Sequence, residues 1–282
     1  MRSSRRMLLA SCLMWASRPA VAAPAAIEAL FAPSARAWDR WAAHDAGSTR
    51  VVDHGAWTAT LRALLRRAPD GSALVAYRAA TPAIKAGLAR YIGALAAEPV
   101  SRLNRAEQFA YWANLYNALT LRVVLDHYPV GSIRDIGISP GLFSSGPWDA
   151  RLVEIEGQAI TLNDIEHRIL RPLWRDPRVH YAVNCASIGC PDLPAEAFAG
   201  ATLDRQLDAA ARAYVNHPRG VLVEPDGLTV SSIYNWFAGD FGGTDMVTAH
   251  LSHYAAPGLA GTIRQGAGIR GYRYDWRLND AG

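Results

Sequence analysis

The chain is organised around the stretch Arg178-Val-His-Tyr-Ala-Val-Asn-Cys-Ala-Ser-Ile-Gly-Cys-Pro-Asp192. Its first part, residues 179–183, is rich in β-branched and aromatic residues and predicts a short buried strand, which the following Ser, Gly and Pro end. Cys185 therefore lies where a strand passes into a loop, a position that holds a side chain firmly and leaves it accessible. In this prediction the backbone N–H groups of residues 186–189 have no strand partner and are available to a ligand.

Three interpretations of Cys185 are compatible with this spacing. It is a nucleophilic thiol, or it forms a disulfide with Cys190, which is near enough in sequence for bridging geometry. The third is a metal site in which His180 joins the two cysteines, but no C-x-x-C pair and no second His at a ligand spacing supports it. We therefore expect no metal and no cofactor. The missing C-x-x-C pair also makes dithiol electron transfer a weaker interpretation.

The first 22 residues have the three parts of a secretory signal peptide. A basic start with three arginines is followed by an apolar run over residues 7–16 and by the small residues Ala20-Val-Ala-Ala23. The apolar run is too short to span a bilayer. We therefore expect cleavage near residue 22 and export to the periplasm or the extracellular space. Lipidation at Cys12 is less favoured, because only two apolar residues separate its lipobox-like sequence from the arginines.

The distribution of charge argues against a nucleic-acid partner. The whole chain has a formal net charge of +4, but four of its arginines lie in residues 1–22, and without them 25 basic residues balance 25 acidic ones. No later apolar run approaches membrane-spanning length, so no membrane span is expected after cleavage. The mature chain keeps only Cys185 and Cys190, and an oxidising compartment favours a disulfide between them.

The remaining chain shows no internal repeat and no interdomain linker. We predict one α+β domain at residues 49–282, preceded by a lead-in at residues 23–48. Several helices are expected around a small mixed or antiparallel sheet, with a buried central helix at about 105–126. The strands of this sheet are predicted at about 151–156, 179–184, 221–224 and 272–276.

The predicted central helix has polar residues on one side. Asn104 and Glu107 form the pattern of a capping box, and hardly any charge follows until Arg122. Such a helix is covered on most sides, so Asn114 and Asn117 must find polar partners inside the protein. We prefer the interpretation that these two amides hold neighbouring loops. The alternative is that one of them orients a catalytic His.

A shorter helix, beginning at Thr161 or Asn163 and ending near Arg171, contains a carboxylate on its apolar stripe. By steps of about 100° per residue, Glu166 falls on the stripe and His167 points away from it. A carboxylate facing a core needs a partner, which Arg171, Arg175 or His180 can supply. Glu166 is then either half of a buried ion pair or the group that orients a catalytic imidazole, and His167 is the weaker alternative for that imidazole.

Five sequence motifs give the chain a resemblance to a known family. They are Glu107-Gln-Phe-Ala-Tyr-Trp-Ala-Asn-Leu-Tyr-Asn-Ala-Leu119, Leu162-Asn-Asp-Ile-Glu-His-Arg-Ile-Leu-Arg171, His180-Tyr-Ala-Val-Asn-Cys-Ala-Ser-Ile-Gly-Cys-Pro191, Ser232-Ile-Tyr-Asn-Trp-Phe-Ala-Gly-Asp-Phe241 and Tyr274-Asp-Trp-Arg-Leu-Asn279. Over roughly residues 50–279 the chain resembles an exported, bacterial-type member of the domain of unknown function 547 (DUF547). That family has no assigned activity. Because intracellular members keep the His and both Cys of the third motif, the resemblance favours a chemical role for Cys185 over a purely structural disulfide.

The predicted function is that of a cysteine-dependent hydrolase or acyl transferase acting on amide or ester bonds of a small molecule, a peptide or a cell-envelope component. Cys185 attacks the carbonyl carbon, His180 holds it as thiolate, and the N–H groups of residues 186–189 steady the oxyanion. Asn114, Asn117 or Glu166 fixes the tautomer of the imidazole.

One feature of the predicted strand opposes this arrangement. In a regular strand His180 and Cys185 project to opposite faces, so a direct pair requires a bulge at Asn184, and otherwise His167 must serve. The alternative function is a non-catalytic binding or scaffold module closed by a disulfide between Cys185 and Cys190.

Overall fold

The structure, a computed structural model, describes residues 32–141 and 145–282. The predicted signal peptide at residues 1–22 lies outside this part of the chain. The described residues form a single α+β domain, as predicted.

The helices of this domain are α1 (Gly55–Leu64), α2 (Pro82–Ala97), α3 (Arg105–His127), a π-helix (Asp164–Leu170), α4 (Arg171–Trp174), α5 (Val179–Ala182), α6 (Leu203–Val215), α7 (Ile233–Trp236), α8 (Thr244–Tyr254) and α9 (Pro257–Arg264). Its strands are β1 (Leu65–Arg67), β2 (Ala73–Val75), β3 (Val153–Ile155), β4 (Gln158–Ile160), β5 (Val221–Glu224), β6 (Gly227–Ser231) and β7 (Ile269–Arg273).

Helix α3 is the buried centre of the domain, and its predicted position is confirmed. The Asn104 side chain caps it by accepting a hydrogen bond of 3.0 Å from the Glu107 N–H. Almost every residue from 107 to 125 is buried, the polar ones included. The helix packs against α2 and the π-helix, so helices cover it where a sheet was expected.

The strands form three small sheets instead of the single sheet that was predicted. β1 pairs with β2, and β3 pairs with β4, each as an antiparallel hairpin. β5 and β6 form the predicted hairpin, in which Glu224 faces Gly227, and β7 adds to β6 in parallel. The last strand therefore ends at Arg273, and residues 274–276 lie beyond it.

The predicted strand at 179–184 is wrong, because residues Val179–Ala182 form helix α5. A turn leads into this helix: the Asp176 carboxylate accepts from the Arg178 N–H at 2.9 Å, and the Val179 N–H donates to the Asp176 carbonyl at 3.1 Å. The helix closes when the Val183 N–H donates to the Val179 carbonyl at 3.3 Å. These local hydrogen bonds override the β-branched and aromatic composition of the segment.

Two hydrophobic clusters make up the core. The first surrounds α3, and the second lies between β5–β7 and helices α6–α8. Tyr181 belongs to the second cluster, whereas Val183 and Ala186 belong to the first. Helix α5 therefore contacts both clusters, because its Val179 and Ala182 belong to the first.

The described end of the lead-in is part of this packing. The Arg36 N–H donates to the His167 carbonyl at 3.0 Å, and the buried ring of Trp41 meets Trp112 of α3 with ring centroids 5.0 Å apart. None of the helices in residues 32–141 and 145–282 is long and apolar enough to cross a membrane.

Candidate functional site

Buried amides hold the loop that carries the cysteines. Asn117 of α3 donates to the Ala182 carbonyl and accepts from the Asn184 N–H, both at 2.8 Å. The Asn184 side chain closes the loop by donating to the Pro191 carbonyl at 2.7 Å and accepting from the Ala186 N–H at 2.8 Å. Ala186 takes a left-handed conformation, with φ of 59°, that turns the chain sharply after Cys185. These contacts fix the loop from inside the core.

The turn brings the two sulfurs together. Cys185 and Cys190 are both free thiols, and their Sγ atoms lie 2.6 Å apart. Both cysteines line the same cavity, and the Cys190 side chain is buried whereas that of Cys185 is half-buried. The backbone N–H of Cys185 donates to the Cys190 sulfur at 3.0 Å. The four residues between the cysteines therefore allow the proximity that the disulfide interpretation required, without a C-x-x-C spacing.

A tyrosine from the far end of the sequence completes the sulfur site. The Tyr274 hydroxyl lies 3.2 Å from the Cys185 sulfur and 3.1 Å from the Cys190 sulfur. Ser187 donates to the Tyr274 oxygen at 2.9 Å, which leaves the tyrosine proton free to point at a sulfur. Tyr274 was not among the predicted site residues. In the sequence, Tyr274 was indicated only by its place in the last of the five motifs. The alternating aromatic residues of that segment predicted a strand.

Tyr274 is held in place by the strap, a name we give to residues 274–281. The Gly189 N–H donates to the Asp275 carbonyl and the Ile188 N–H to the Arg277 carbonyl, both at 2.8 Å. Further along, the Asn279 N–H donates to the Ala186 carbonyl at 3.0 Å. The strap thus runs alongside the cysteine loop and pairs with its backbone.

Most of the N–H groups that were predicted to form an oxyanion site at residues 186–189 are engaged within the fold. The N–H groups of Ile188 and Gly189 are taken by the strap, and that of Ala186 is taken by the Asn184 side chain. The prediction failed because the strap is far away in sequence and its pairing leaves no local signal. The hydroxyl of Tyr274 is the donor that the fold supplies next to the sulfurs instead.

The surroundings of the sulfurs favour loss of one proton from the pair. Burial opposes ionisation of Cys190, but hydrogen bonds from the Cys185 thiol, Tyr274 and Ser187 outweigh it and lower the pKa of Cys190 to about 6. The pKa of Cys185 is raised, first because its thiol is hydrogen-bonded to Cys190 and then because it is buried. The two thiols therefore behave as one acid that readily gives up a single proton.

A second polar group, the acid–imidazole cluster, lies in the same cavity. We define it as Glu166, His167, Arg171, His180 and Asp240. His180 Nε2 donates to Asp240 Oδ2 at 2.7 Å, and Arg171 Nε donates to the same oxygen at 2.5 Å. Arg171 Nη1 also donates to His167 Nδ1 at 2.9 Å. Glu166 lies between the two rings, 3.9 Å from His180 Nδ1 and 4.0 Å from His167 Nε2.

The surroundings of the π-helix explain why both Glu166 and His167 are buried. The helix is covered on nearly all sides, so that every one of its residues except Arg168 is buried. The buried position of Glu166 was predicted, but the prediction that His167 points away is wrong, because the side chain is buried and lines the cavity. A sequence pattern that assumes one buried face per helix has no means of detecting such burial.

Burial has a strong effect on the pKa values of the acid–imidazole cluster. Burial raises the pKa of Glu166 to about 7, although Arg171 and a hydrogen bond from the Tyr116 hydroxyl act in the opposite direction. Burial lowers the pKa of His180, and its hydrogen bond to Asp240 opposes this only in part. The pKa of Asp240 is lowered to about 2: burial raises it, but the hydrogen bonds from His180 and Arg171 prevail. At neutral pH Glu166 is therefore partly protonated, and it lines the same cavity as the sulfurs.

Neither imidazole pairs with Cys185 within the described residues, so the predicted direct dyad with His180 is wrong. His180 lies on a helical turn, with Nε2 bonded to Asp240 and Nδ1 turned toward Glu166, and the ring of Phe237 stacks on it at 4.5 Å between centroids. His167 is bonded to Arg171, so it does not replace His180.

Asn114 and Asn117 hold backbone, as the preferred interpretation predicted. Asn114 donates to the Phe198 carbonyl at 2.8 Å and accepts from the Phe198 N–H at 3.0 Å. Neither amide is bonded to an imidazole in the part of the chain that the structure describes. Asn117 affects the site because it holds the cysteine loop. Asn114 holds the segment that precedes α6.

The cavity between these groups measures about 520 Å³, within the range of small-molecule sites. The sulfurs, Glu166 and the two imidazoles are among its lining residues. Five aromatic residues line it with them, and we call these the aromatic wall: Trp148, Trp236, Phe237, Tyr274 and Trp276. Within residues 32–141 and 145–282, no three His, Cys, Asp or Glu side chains are arranged to hold a metal ion. The cavity thus combines polar, reactive groups with an apolar surface for a substrate.

Comparison with known proteins gives a family and no activity. The model of a family described as "Protein of unknown function, DUF547" matches residues 100–215, which confirms the predicted resemblance over α3, the π-helix and the cysteine loop. Asp240 and Tyr274 lie outside the matched range. No curated protein and no solved structure matches the chain.

Proposed function

We propose that this chain, whose residues 100–215 match the DUF547 family, is a cysteine-dependent acyl-transfer enzyme that cleaves amide or ester bonds. The observation that carries the proposal is the half-buried Cys185 thiol, which shares one cavity with the Tyr274 hydroxyl and the Glu166 carboxyl. From the signal-peptide pattern we propose that the protein is exported and that its substrate belongs to the cell envelope.

The nucleophile is the thiolate of Cys185. The pair of thiols loses one proton easily, and the 2.6 Å contact lets the remaining proton pass from one sulfur to the other. When that proton lies on Cys190, the negative charge lies on Cys185, the more exposed of the two sulfurs. In this arrangement Cys190 holds Cys185 as thiolate, which was the role expected of His180.

Attack by the Cys185 sulfur on the carbonyl carbon forms an S–C bond and places a negative charge on the carbonyl oxygen. The Tyr274 hydroxyl, 3.2 Å from that sulfur, is within reach of this oxygen and stabilises the charge by donating its proton in a hydrogen bond. Hydrogen bonding from Ser187 keeps the hydroxyl aimed at the sulfurs.

Glu166 supplies the proton for the leaving group. With a pKa of about 7 it is partly protonated at neutral pH and can protonate the departing amine or alkoxide as the C–N or C–O bond breaks. Water, or another acyl acceptor, then gives its proton to the Glu166 carboxylate and attacks the thioester, and the S–C bond breaks to restore the thiolate. His180 and Asp240 hold the surroundings of Glu166 in place.

A second candidate function is a non-catalytic binding module in which a disulfide clips the loop. The 2.6 Å separation of the sulfurs favours it, since little movement is needed for a bond. In that case the aromatic wall binds a ligand and the thiols have no reaction with carbonyl compounds.

Mass spectrometry after treatment with an activated ester or amide probe tests the proposal. In reductant, the wild type should gain one acyl group on Cys185, and Cys190→Ser should still be acylated, although at higher pH. Cys185→Ser is the matched control and should gain none. If reduced, folded wild type stays unmodified while an alkylating reagent of similar size labels Cys185, the acyl-transfer proposal is wrong and the binding module is favoured.

A further inference from the structure

The paired sulfurs have a second chemical capacity that acyl transfer does not need. A cysteine nucleophile requires one sulfur, whereas here two free thiols lie 2.6 Å apart, and the chain has a total of only three cysteines. The third, Cys12, lies in the predicted signal peptide. A disulfide has an S–S length of about 2.05 Å, so the sulfurs need to approach by only about 0.5 Å to bond.

The two sulfurs differ in access. Cys190 is 3% exposed and is covered by Ser187, Tyr274 and the backbone of Cys185. Cys185 is half-buried and faces the cavity. This is the asymmetry of an attacking thiol and a resolving thiol, because an incoming molecule meets Cys185 first and Cys190 lies directly behind it.

The loop is held without any need for a bond between the sulfurs. Asn117 anchors its start, the Asn184 amide joins it to the Pro191 carbonyl, and the strap pairs with the backbone of Ile188 and Gly189. Since these contacts are present with both thiols free, a disulfide adds little to the framework. A bond that the fold does not require can form and break without unfolding.

We propose that Cys185 and Cys190 form a reversible dithiol–disulfide couple that reacts with small organic disulfides by thiol–disulfide exchange. The Cys185 thiolate attacks one sulfur of the disulfide, and an S–S bond forms as the substrate's own S–S bond breaks and releases one thiolate. The Cys190 thiolate then attacks the Cys185 sulfur, which forms the internal disulfide and releases the second thiolate. The two thiol protons of the protein end on the two released thiols, and the protein is oxidised as the substrate is reduced.

The surroundings suit both steps. Tyr274 contacts both sulfurs, so its hydroxyl stabilises whichever one carries the charge. The cavity of about 520 Å³ admits a small disulfide, and its aromatic wall offers a surface to an apolar or aromatic one. The aromatic wall therefore favours aryl disulfides over highly charged ones.

This activity shares its nucleophile with the proposed acyl transfer and regulates it. In the oxidised protein the Cys185 sulfur is bonded to Cys190 and has no thiolate to attack a carbonyl carbon. A small dithiol such as dithiothreitol reverses the reaction and restores both thiols. Reaction with carbonyl compounds is thus limited to the reduced protein.

The probe for this couple is 4,4′-dithiodipyridine, whose released thiopyridone is measured by absorbance. The full chain with Cys12→Ser serves as the parent, so that Cys185 and Cys190 are its only thiols. The reduced parent should release two thiopyridones per chain and end with a mass lower by two hydrogens. Cys190→Ser should release one and retain a pyridyl adduct on Cys185. Cys185→Ser should react at least tenfold more slowly, because Cys190 is covered.

Two results would overturn the couple: a parent that keeps the pyridyl adduct on Cys185, or a Cys185→Ser variant that reacts as fast as the parent. Circular dichroism and regained thiols after dithiothreitol test reversibility, and unfolding on reduction also contradicts the proposal. An ester probe on the same samples separates the two functions. If reduced Cys190→Ser is acylated but shows no exchange, only acyl transfer is supported. If the parent exchanges but is not acylated, only the redox couple is supported.

Discussion

His180 Nε2 and Asp240 Oδ2 are joined by a hydrogen bond of 2.7 Å, although 60 residues separate them in the sequence. Asp240 lies on the 3-10 helix Ala238–Phe241, whose Phe241 belongs to the second hydrophobic cluster, and His180 lies on helix α5, which contacts both clusters. Arg171 binds the same carboxylate oxygen. One carboxylate therefore joins the π-helix region, helix α5 and the second half of the fold.

Replacing that carboxylate should weaken the fold. Asp240→Asn leaves the buried Arg171 guanidinium without its counter-charge and should lower the free energy of unfolding by about 3 kcal/mol. Urea denaturation at pH 7 measures the change. Asp226→Asn, in the exposed turn of the β5–β6 hairpin, is the control and should change it by less than about 0.5 kcal/mol.

The same carboxylate should stabilise the protein in a defined range of pH. Its pKa is about 2 in the folded protein, compared with 3.8 for an unperturbed Asp. Its contribution to the free energy of unfolding is therefore complete above about pH 4 and is lost as the pH falls toward 2. The difference in unfolding free energy between wild type and Asp240→Asn should therefore shrink between pH 4 and pH 2. A constant difference across this range would show that Asp240 is not held as an anion by His180 and Arg171.

Glu166 should have the opposite dependence. Its pKa is raised from 4.5 to about 7, so between these values the folded state binds a proton that the unfolded state has released. Stability is then highest below about pH 4.5 and falls as the pH rises to 7, by an amount on the order of 3 kcal/mol. Glu166→Gln does not titrate, and its unfolding free energy should be flatter by that amount over the same range. Parallel curves for the two proteins would contradict the raised pKa.

The tyrosine at the sulfurs should control their acidity. Tyr274→Phe removes a hydrogen bond to the thiolate and should raise the pH midpoint of iodoacetamide alkylation, which we expect near 6 in the wild type, by about one unit. Tyr272→Phe, two residues earlier on β7, is the matched control and should leave the midpoint unchanged. An equal shift in both variants would indicate a general disturbance of the last strand.

The two buried amides of α3 allow stability and positioning to be separated. Asn114→Ala and Asn117→Ala each leave a buried backbone N–H and carbonyl unpaired and should each cost about 1–3 kcal/mol in unfolding free energy. Only Asn117 holds the cysteine loop, so only its variant should slow the reaction of folded protein with thiol reagents. If Asn114→Ala slows this reaction to the same extent, the loop is held by the whole core and not by the Asn117 amide.

The parts of this structure that sequence could predict are those governed by local periodicity. Helix α3 follows from its cap at Asn104 and its long uncharged course, and Glu166 was placed inside because it falls among apolar neighbours. The cysteine loop was correctly placed between Asn184 and Pro191 because Gly and Pro interrupt regular structure there.

The parts that sequence could not predict depend on distant pairing or on how a helix is covered. Residues 179–182 carry strand-like side chains but follow a hydrogen-bonded turn at Asp176, and His167 is buried because the π-helix is covered on nearly all sides. The contacts of Tyr274 with the sulfurs join residues that are 84–89 positions apart in the sequence. No local pattern records such a contact, so the hydroxyl that defines the sulfur site could only be found in the folded chain.

The strap also sets the order in which the site is assembled during synthesis. Both cysteines leave the ribosome long before Tyr274, and the strap is also needed to pair with β2, where the Val75 N–H donates to the Asn279 carbonyl at 2.8 Å. A nascent chain that has grown only as far as Arg273 carries both thiols but has no phenol beside them and no partner for Ile188 and Gly189. The sulfurs therefore acquire the hydroxyl of Tyr274 only after the strap has been synthesised.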